Sequence, residues 1–346
     1  MNVAIIGTGY VGLTTGVCLA YLGNKVWCVD SDESKIVSLN AGRPTIFEPW
    51  LPELMALASH NLCFTASYSQ AVPSADVVFI AVGTPPQADG APDLSYLRAA
   101  AHSIGEHLGT GFTVVVNKST VPIGSGNWVE ALIAESFESR HGGKPDGRFA
   151  VGSNPEFLRE GSALRDALFP DRVVIGADAP RALETLYSLY RPVLEQSFAS
   201  PTFLPRPEGL GAVPLVSADL ASAELIKYAA NAFLALKISY INEIGELAGK
   251  VGADVAQVAK GIGLDSRIGT RFLQAGIGWG GSCFGKDMAA LISTGAEYGL
   301  RMAIVEAGRE VNARQRARVV QRLLAEVKIL KGKTIALLGL AFKPQT

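Results

Sequence analysis

Two textures of apolar and polar residues follow each other along the chain. Through about the first 180 residues, short uncharged runs rich in β-branched side chains recur at 2–6, 25–30, 76–82, 112–116 and 172–176. Strands buried on both faces of a parallel sheet require such runs, because helices cover both sides. Between them stand segments of helical length and spacing, beginning with 10–22. Strand, helix, strand repetition predicts a doubly wound α/β domain.

Prolines at 201, 205, 207 and 214, with Gly209 and Gly211, then predict a linker or long loop. Beyond it the texture is helical. Residues 218–250 form a long Ala/Leu/Ile pattern without proline, with Ser217 or Asp219 as its cap. Helical patterns continue through 254–261, 286–298 and 302–330. Residues 333–340 return to a buried-strand pattern, and the chain stops at Thr346. One strand cannot bury two faces by itself, so either a further domain is cut off or the strand is carried without its sheet. The expected fold class is α/β: an N-terminal Rossmann-like doubly wound domain over 1–206, a helical central dimerisation domain over 207–300, and over 301–346 a connecting helix with the start of a truncated second Rossmann-like domain.

Composition narrows the function. With 48% apolar and 18% charged residues, the chain is neither disordered nor of low complexity. Its 346 residues are too many for one compact core. Lys plus Arg is 31 and Asp plus Glu is 32, so no basic excess is available for a nucleic-acid partner. No apolar run approaches the ~20 residues needed to cross a bilayer, and the opening strand pattern predicts no signal peptide. Cysteines at 18, 28, 63 and 283 and histidines at 60, 102, 107 and 141 show no metal-ligand spacing. No metal and no disulfide framework are expected, and a reducing cytoplasm fits. The cysteines at 18, 28 and 63 lie in apolar contexts and read as core residues.

Gly7-Thr8-Gly9-Tyr10-Val11-Gly12 is G-x-G-x-x-G between a predicted strand and a predicted helix. Gly7 permits a tight turn, Gly9 lets the backbone approach a pyrophosphate, and Gly12 lets helix and strand pack closely. The pyrophosphate then sits on the helix N-terminus. Asp30, 18 positions after Gly12, can bond ribose hydroxyls and repel a 2′-phosphate. No Arg follows within four residues, which favours NAD over NADP. FAD is an alternative that the same fingerprint serves.

Gly276-Ile-Gly-Trp-Gly-Gly-Ser-Cys283-Phe-Gly-Lys-Asp287 is the most distinctive stretch. Five glycines surround one cysteine, and the predicted helix after it puts Cys283 near a helix N-terminus, where a thiolate is favoured. A small residue in a glycine loop is the plain alternative.

In order, these two motifs and Val82-Gly-Thr-Pro-Pro86, Lys118-Ser-Thr-Val-Pro-Ile-Gly124, Ser153-Asn-Pro-Glu-Phe-Leu-Arg-Glu-Gly161, Pro170-Asp-Arg-Val-Val-Ile-Gly176 and Ala223-Glu-Leu-Ile-Lys-Tyr-Ala-Ala-Asn231 resemble the UDP-glucose/GDP-mannose dehydrogenase family over nearly the whole chain. The cysteine loop is similar to the UDP-glucose branch. The resemblance implies oxidation of a sugar C6 alcohol through the aldehyde to the acid, UDP-glucose giving UDP-glucuronate, with two NAD consumed. It implies that Cys283 is the nucleophile, that Lys227 and Asn231 stabilise the oxyanion, and that Asp287, with Thr120 and Glu156 through a water, handles protons. Gly7, Gly9, Tyr10, Val11, Gly12, Asp30, Lys35, Thr84, Thr120, Glu160 and Lys286 resemble cofactor contacts. Glu156, Phe157, Leu158, Arg159, Lys227, Asn231, Arg267, Phe272, Gly280 and Lys343 resemble substrate contacts. A homodimer through the long helix is also implied, its apolar positions including Leu225, Ala229, Phe233, Leu236, Tyr240 and Ile244.

The residues themselves support part of this. Lys227 and Asn231 are four apart on a predicted helix and share a face. A lysine there equally reads as a surface residue with its stem on apolar neighbours. Two departures stand out. Residues 201–217 are longer and richer in proline than in the family, and Gly339-Leu-Ala-Phe-Lys-Pro344 opens the family's uridine-binding domain, of whose contacts Lys343 alone remains. Three other readings stay open: another nucleotide-sugar 6-dehydrogenase, a simple two-electron NAD dehydrogenase of the 3-hydroxyacid or 6-phosphogluconate type, and a non-catalytic cofactor-binding or dimerisation module. Cys283 argues against the two-electron type, since a single alcohol oxidation needs no thiol.

Overall fold

A computed structural model describes residues 1–346 except 86, 88–91, 340, 342, 344 and 345. It comprises two compact units, Met1–Gln87 with Pro92–Lys227 and Lys343–Thr346, and Tyr228–Phe342. The first unit runs β1 (Asn2–Ile6), α1 (Tyr10–Tyr21), β2 (Lys25–Val29), α2 (Glu33–Asn40), α3 (Leu51–Ala58), β3 (Leu62–Thr65), α4 (Tyr68–Ala71) and β4 (Val77–Ile80). It continues through α5 (Ser95–His107), β5 (Thr113–Asn117), α6 (Ser125–His141), β6 (Phe149–Ser153), α7 (Ala163–Leu168), β7 (Val173–Gly176), α8 (Pro180–Glu195) and β8 (Leu215–Ala218).

The strands form one sheet in the order β3-β2-β1-β4-β5-β6-β7-β8. Neighbours are parallel except β6 and β7, which meet antiparallel with Ser153 opposite Gly176. The order reverses between β1 and β4, the switch point at which doubly wound sheets bind ligands beyond the strands' carboxyl ends. Side chains alternate between two apolar layers. Val3, Ile5, Val77, Phe79 and Val114 pack with residues of α1, α3 and α8. Ala4, Ile6, Val78, Ile80 and Val115 pack with residues of α5 and α6. Burial on both faces explains why these strands are legible as uninterrupted apolar runs.

The edges follow other rules. β3 and β8 end the sheet and have one or both faces in solvent, so neither carries a buried run. Neither is legible as an apolar run, and nor is β6 (FAVGS), where Gly152 and Ser153 interrupt the apolar sequence. Cys63 on β3 is exposed, not a core residue, while Cys18 and Cys28 are buried as expected. The strand expected at 333–340 is not formed over 333–339, which run as coil with Leu337 and Leu338 exposed. A strand needs a pairing neighbour to satisfy its backbone, and among the described residues none pairs with this segment. Leu340 lies outside the described residues, as do Phe342 and Pro344 of the 339–344 motif and Pro86 of the 82–86 motif.

The long helix α9 (Leu220–Val251) opens in the first unit and runs on into the second, where α10 (Val255–Gly263), α11 (Phe284–Glu297) and α12 (Ala303–Val327) follow. Asp219 starts α9, its Oδ1 accepting from Ser222 N–H at 2.7 Å. One turn later Glu224 caps a different helix. Its Oε2 accepts from Gly124 N–H at 2.7 Å and its Oε1 from Gly126 N–H at 2.9 Å, at the start of α6.

Burial pushes the Glu224 carboxyl up to about 7, against the pull of those two N–H donors. The folded-state value thus lies above the ordinary 4.5, and the native state holds the proton more tightly. The resulting stabilisation is complete below about pH 4.5 and is lost as pH rises through about 7, roughly 3 kcal/mol in all. Urea unfolding of the parent and of Glu224→Gln across that window should show a pH-dependent difference of this sign. A difference that is flat with pH contradicts it.

Candidate active site

β1 ends in Gly7 at φ +100, where an added Cβ would stand 2.6 Å from Ala81 O. A Cβ on Gly12 would stand 1.9 Å from Gly7 O. Both collisions are with backbone, so the turn demands glycine at these positions. Gly9 is the N-cap of α1, and a Cβ there meets nothing within 4 Å. α1 has no side-chain cap and no acidic residue in its first turn, which leaves its first N–H groups to an anion.

Asp30 stands just beyond β2. Its Oδ2 accepts from Thr8 N–H at 2.9 Å and from Thr8 Oγ1 at 2.6 Å, with Lys35 Nζ at 3.5 Å, and its Oδ1 accepts from Asp32 N–H at 3.0 Å. Burial raises this carboxyl, but the Thr8 and Asp32 bonds and the Lys35 charge outweigh it and hold the group below its ordinary range. A carboxylate offers about four lone-pair sites, so acceptor capacity remains for ribose hydroxyls. The glycine cradle, the uncapped helix and the ionised Asp30 together fit a dinucleotide without a 2′-phosphate.

The neighbouring loops are tied by a carboxylate that the sequence analysis does not single out. Glu48, buried, accepts from Tyr10 OH, from Gly161 N–H at 2.8 Å and from Ala163 N–H at 2.7 Å. Burial and the Glu48 charge push the Tyr10 phenol up, so it stays protonated and donates. Thr84, also buried, donates from Oγ1 to Thr120 O at 3.0 Å and joins the loops after β4 and β5. Val11 and Glu160 are half-buried nearby in sequence to these anchors.

Beyond β6, Lys227 of α9 donates to Glu156 O at 2.6 Å and to Glu156 Oε1 at 2.7 Å. Both residues are buried, 5% and 7% exposed. Glu156 Oε2 accepts from Leu158 N–H at 2.6 Å, and Lys227 Nζ stands 5.4 Å from the Phe157 ring centre. The surface-lysine reading of Lys227 is thus replaced by a buried ion pair. A second buried lysine, Lys118, donates to Asn154 Oδ1 at 2.8 Å; Tyr190 OH donates to the same oxygen, and Asn154 Nδ2 donates to Val174 O at 2.7 Å. Burial pushes Lys118 down to about 8, against the attraction of Glu156. Along the sequence Lys118 and Asn154 stand out only as members of motifs; a lysine directly after the buried run Thr113–Asn117 is the signal that marks Lys118. Arg159 is paired with Asp166, its Nε 3.0 Å from Oδ2.

In the second unit, Asn231 Nδ2 donates to Asp287 Oδ2 at 2.6 Å, both residues buried. α11 starts at Phe284 with Cys283, exposed, as its N-cap. Lys286 and Asp287 lie in its first turn. Phe272 sits in left-handed backbone at φ +65 with its ring centre 6.4 Å from that of Phe284. Arg267 pairs with Asp265 at 2.6 Å on an exposed turn, and Gly280 is exposed. Lys343 N–H donates to Thr346 Oγ1 at 3.2 Å.

Residues 1–194 match the NAD binding domain of the UDP-glucose/GDP-mannose dehydrogenase family, and residues 221–314 its central domain. The chain belongs to this family. It is 48% identical to the UDP-glucose 6-dehydrogenase of Rhizobium meliloti, over 100% of this chain and 75% of that protein. It is 46% identical to UDP-glucose 6-dehydrogenase TuaD of Bacillus subtilis, over 100% of this chain and 70% of that protein. Its structure is similar to that of a UDP-glucose dehydrogenase from the hyperthermophilic archaeon Pyrobaculum islandicum, with TM-score 0.85 and 42% identity over 96% of this chain and 72% of that one. The family's NAD binding domain thus coincides with the glycine cradle and Asp30. Among the described residues, no helix is long and apolar enough to cross a membrane.

Proposed function

We propose that this chain is a cytoplasmic, NAD-dependent dehydrogenase that oxidises UDP-glucose to UDP-glucuronate in two steps. One observation carries the reading: the exposed Cys283 caps α11 in a glycine loop, one turn before the buried Asp287. A single alcohol oxidation needs no thiol, whereas a four-electron oxidation must retain its aldehyde. The names of the relatives at 46% and 48% identity support the substrate.

NAD, when bound, accepts the hydride of each oxidation. Gly7, Gly9 and Gly12 admit its pyrophosphate, and Asp30, with Lys35 beside it, takes the ribose. Thr84, Thr120, Tyr10, Val11, Glu160 and Lys286 complete the cofactor contacts. Lys227 faces charge that develops on the sugar oxygen, assisted by Asn231. Asp287, with Thr120 and Glu156 through a water, passes the alcohol proton to solvent. The Cys283 thiolate then forms a carbon–sulfur bond to the aldehyde carbon, giving a thiohemiacetal. With its hydroxyl proton passed to solvent, the thiohemiacetal gives up its C–H hydrogen as hydride to a second NAD, which would leave a thioester on Cys283. Asp287 takes a proton from water, which displaces the thiolate and releases the acid. Phe157, Leu158, Arg159, Arg267, Phe272, Gly280 and Lys343 contact the substrate. In this division 1–206 binds NAD, 207–300 dimerises, and 301–346 leads into uridine binding.

In the second unit α9 exposes an apolar stripe, Phe233 at 64%, Tyr240 at 55% and Leu247 at 59%, each seven residues from the next. Its burial between two copies is the basis for a homodimer. Sedimentation at micromolar concentration should show the dimer, and a monomer contradicts it.

NADH formation with a panel of UDP- and GDP-sugars tests the substrate. UDP-glucose should yield two NADH per UDP-glucuronate, with NADP much poorer than NAD, and Asp30→Ala should narrow that preference. A faster reaction with GDP-mannose or a UDP-N-acetylhexosamine overturns the sugar assignment. A yield of one NADH per sugar overturns the double oxidation.

A further inference from the structure

Four glycines, at 276, 278, 280 and 281, precede Cys283, so the loop has little stiffness of its own. Its geometry is imposed by side chains of α9 and α12. Asn312 of α12 is 3% exposed and makes two bonds to the backbone of Trp279. Its Oδ1 accepts from Trp279 N–H at 2.7 Å, and its Nδ2 donates to Trp279 O at 3.1 Å. The amide thereby does what a paired strand would do. Ser239 of α9, 2% exposed, accepts from Trp279 Nε1–H at 3.0 Å and donates to Gly308 O at 2.8 Å. Trp279 is thus held by backbone and by ring.

Gly278 lies hard against this clamp. At φ +108, an added Cβ would stand 2.3 Å from Asn312 Oδ1. The start of the loop is fixed too, with Gly276 N–H donating to Asn242 Oδ1 at 2.7 Å. From Trp279 the contact passes toward the thiol. The indole stands edge-on to Phe284, with ring centres 6.1 Å apart at 84°. Phe284 is the first residue of α11 and follows Cys283 directly.

We propose that Asn312 and Ser239 are positioning residues for Cys283, acting through Trp279 to hold the glycine loop and the start of α11 in one arrangement. The proposal rests on Cys283 being the nucleophile. Addition to an aldehyde demands a near-attack geometry, and a misplacement of about 1 Å can cost roughly 100-fold in rate.

Asn312→Ala, Asn312→Asp and Ser239→Ala in the full chain test it, read by amide hydrogen exchange and by kinetics with UDP-glucose and NAD. Asn312→Ala should speed exchange across 276–286 by about ten-fold or more while exchange across 2–29 stays unchanged. It should lower kcat by about ten-fold with KM for NAD within about two-fold, because the loss is in geometry at the thiol. Asn312→Asp keeps the acceptor for Trp279 N–H and should fall between the two. Ser239→Ala removes the indole contact and the bond to Gly308 O, leaves both Asn312 bonds in place, and gives the same changes in smaller measure; it serves where Asn312→Ala does not fold. Unchanged loop exchange in the folded variants overturns the proposal. So does faster exchange with undiminished kcat, which leaves the clamp purely structural. Undiminished acid formation by Cys283→Ala overturns it by removing the nucleophile, and that failure is distinct because loop exchange is then unaltered.

Discussion

A lysine ammonium buried against an aromatic ring has to be compensated, and much of the first unit's active end is arranged around that need. Lys227 finds both a carboxylate oxygen and a carbonyl oxygen on Glu156. Removing one partner of a buried pair costs about 3–5 kcal/mol, because the other charge is stranded. The turn beyond β6 is therefore not free to vary. Glu156 is pinned from one side by Lys227 and from its own backbone by Leu158 N–H, and Asn154 is pinned by Lys118 and Tyr190. Lys227 disfavours the charge on Lys118 and Glu156 favours it, so Glu156 offsets part of the repulsion between the two buried lysines.

The same economy of buried polar groups recurs in each part of the site. Glu48 gathers Tyr10, Gly161 and Ala163; Glu224 gathers Gly124 and Gly126; Asn231 meets Asp287; Asn312 meets both backbone groups of Trp279. In each case a side chain anchors a loop or a helix end. Loops that carry chemistry gain fixed geometry this way, without the ladder bonds that hold strands. Glycines at 7, 12 and 278 let the backbone come close enough for this to happen.

What was legible from sequence divides along the range of the interactions. The central strands show as apolar runs because both faces are buried, and the glycine turn shows because its spacing is local. Lys227 and Asn231 are visible as a one-turn pair. Their partners are not: Glu156 lies 71 residues from Lys227 and Asp287 lies 56 from Asn231, and no local pattern links them. On the lysine's own helix, a solvated face was the natural alternative, and only the fold replaces it with burial. β3 and β8 escaped for the opposite reason, since an edge strand carries no run of buried residues. At 333–339 the local pattern reads as strand, yet without a partner the segment is coil.

We propose that Cys283 holds the sugar covalently between the two oxidations. Rapid-quench mass spectrometry of a single turnover with UDP-glucose and NAD tests it most directly. A transient uronyl adduct is expected on the peptide carrying Cys283, its decay matching release of UDP-glucuronate. In Cys283→Ala the adduct and the acid should both be lost while some first-step NADH persists. Acid formation at an undiminished rate in that variant, with no adduct in the parent protein, would show that the thiol does not hold the sugar.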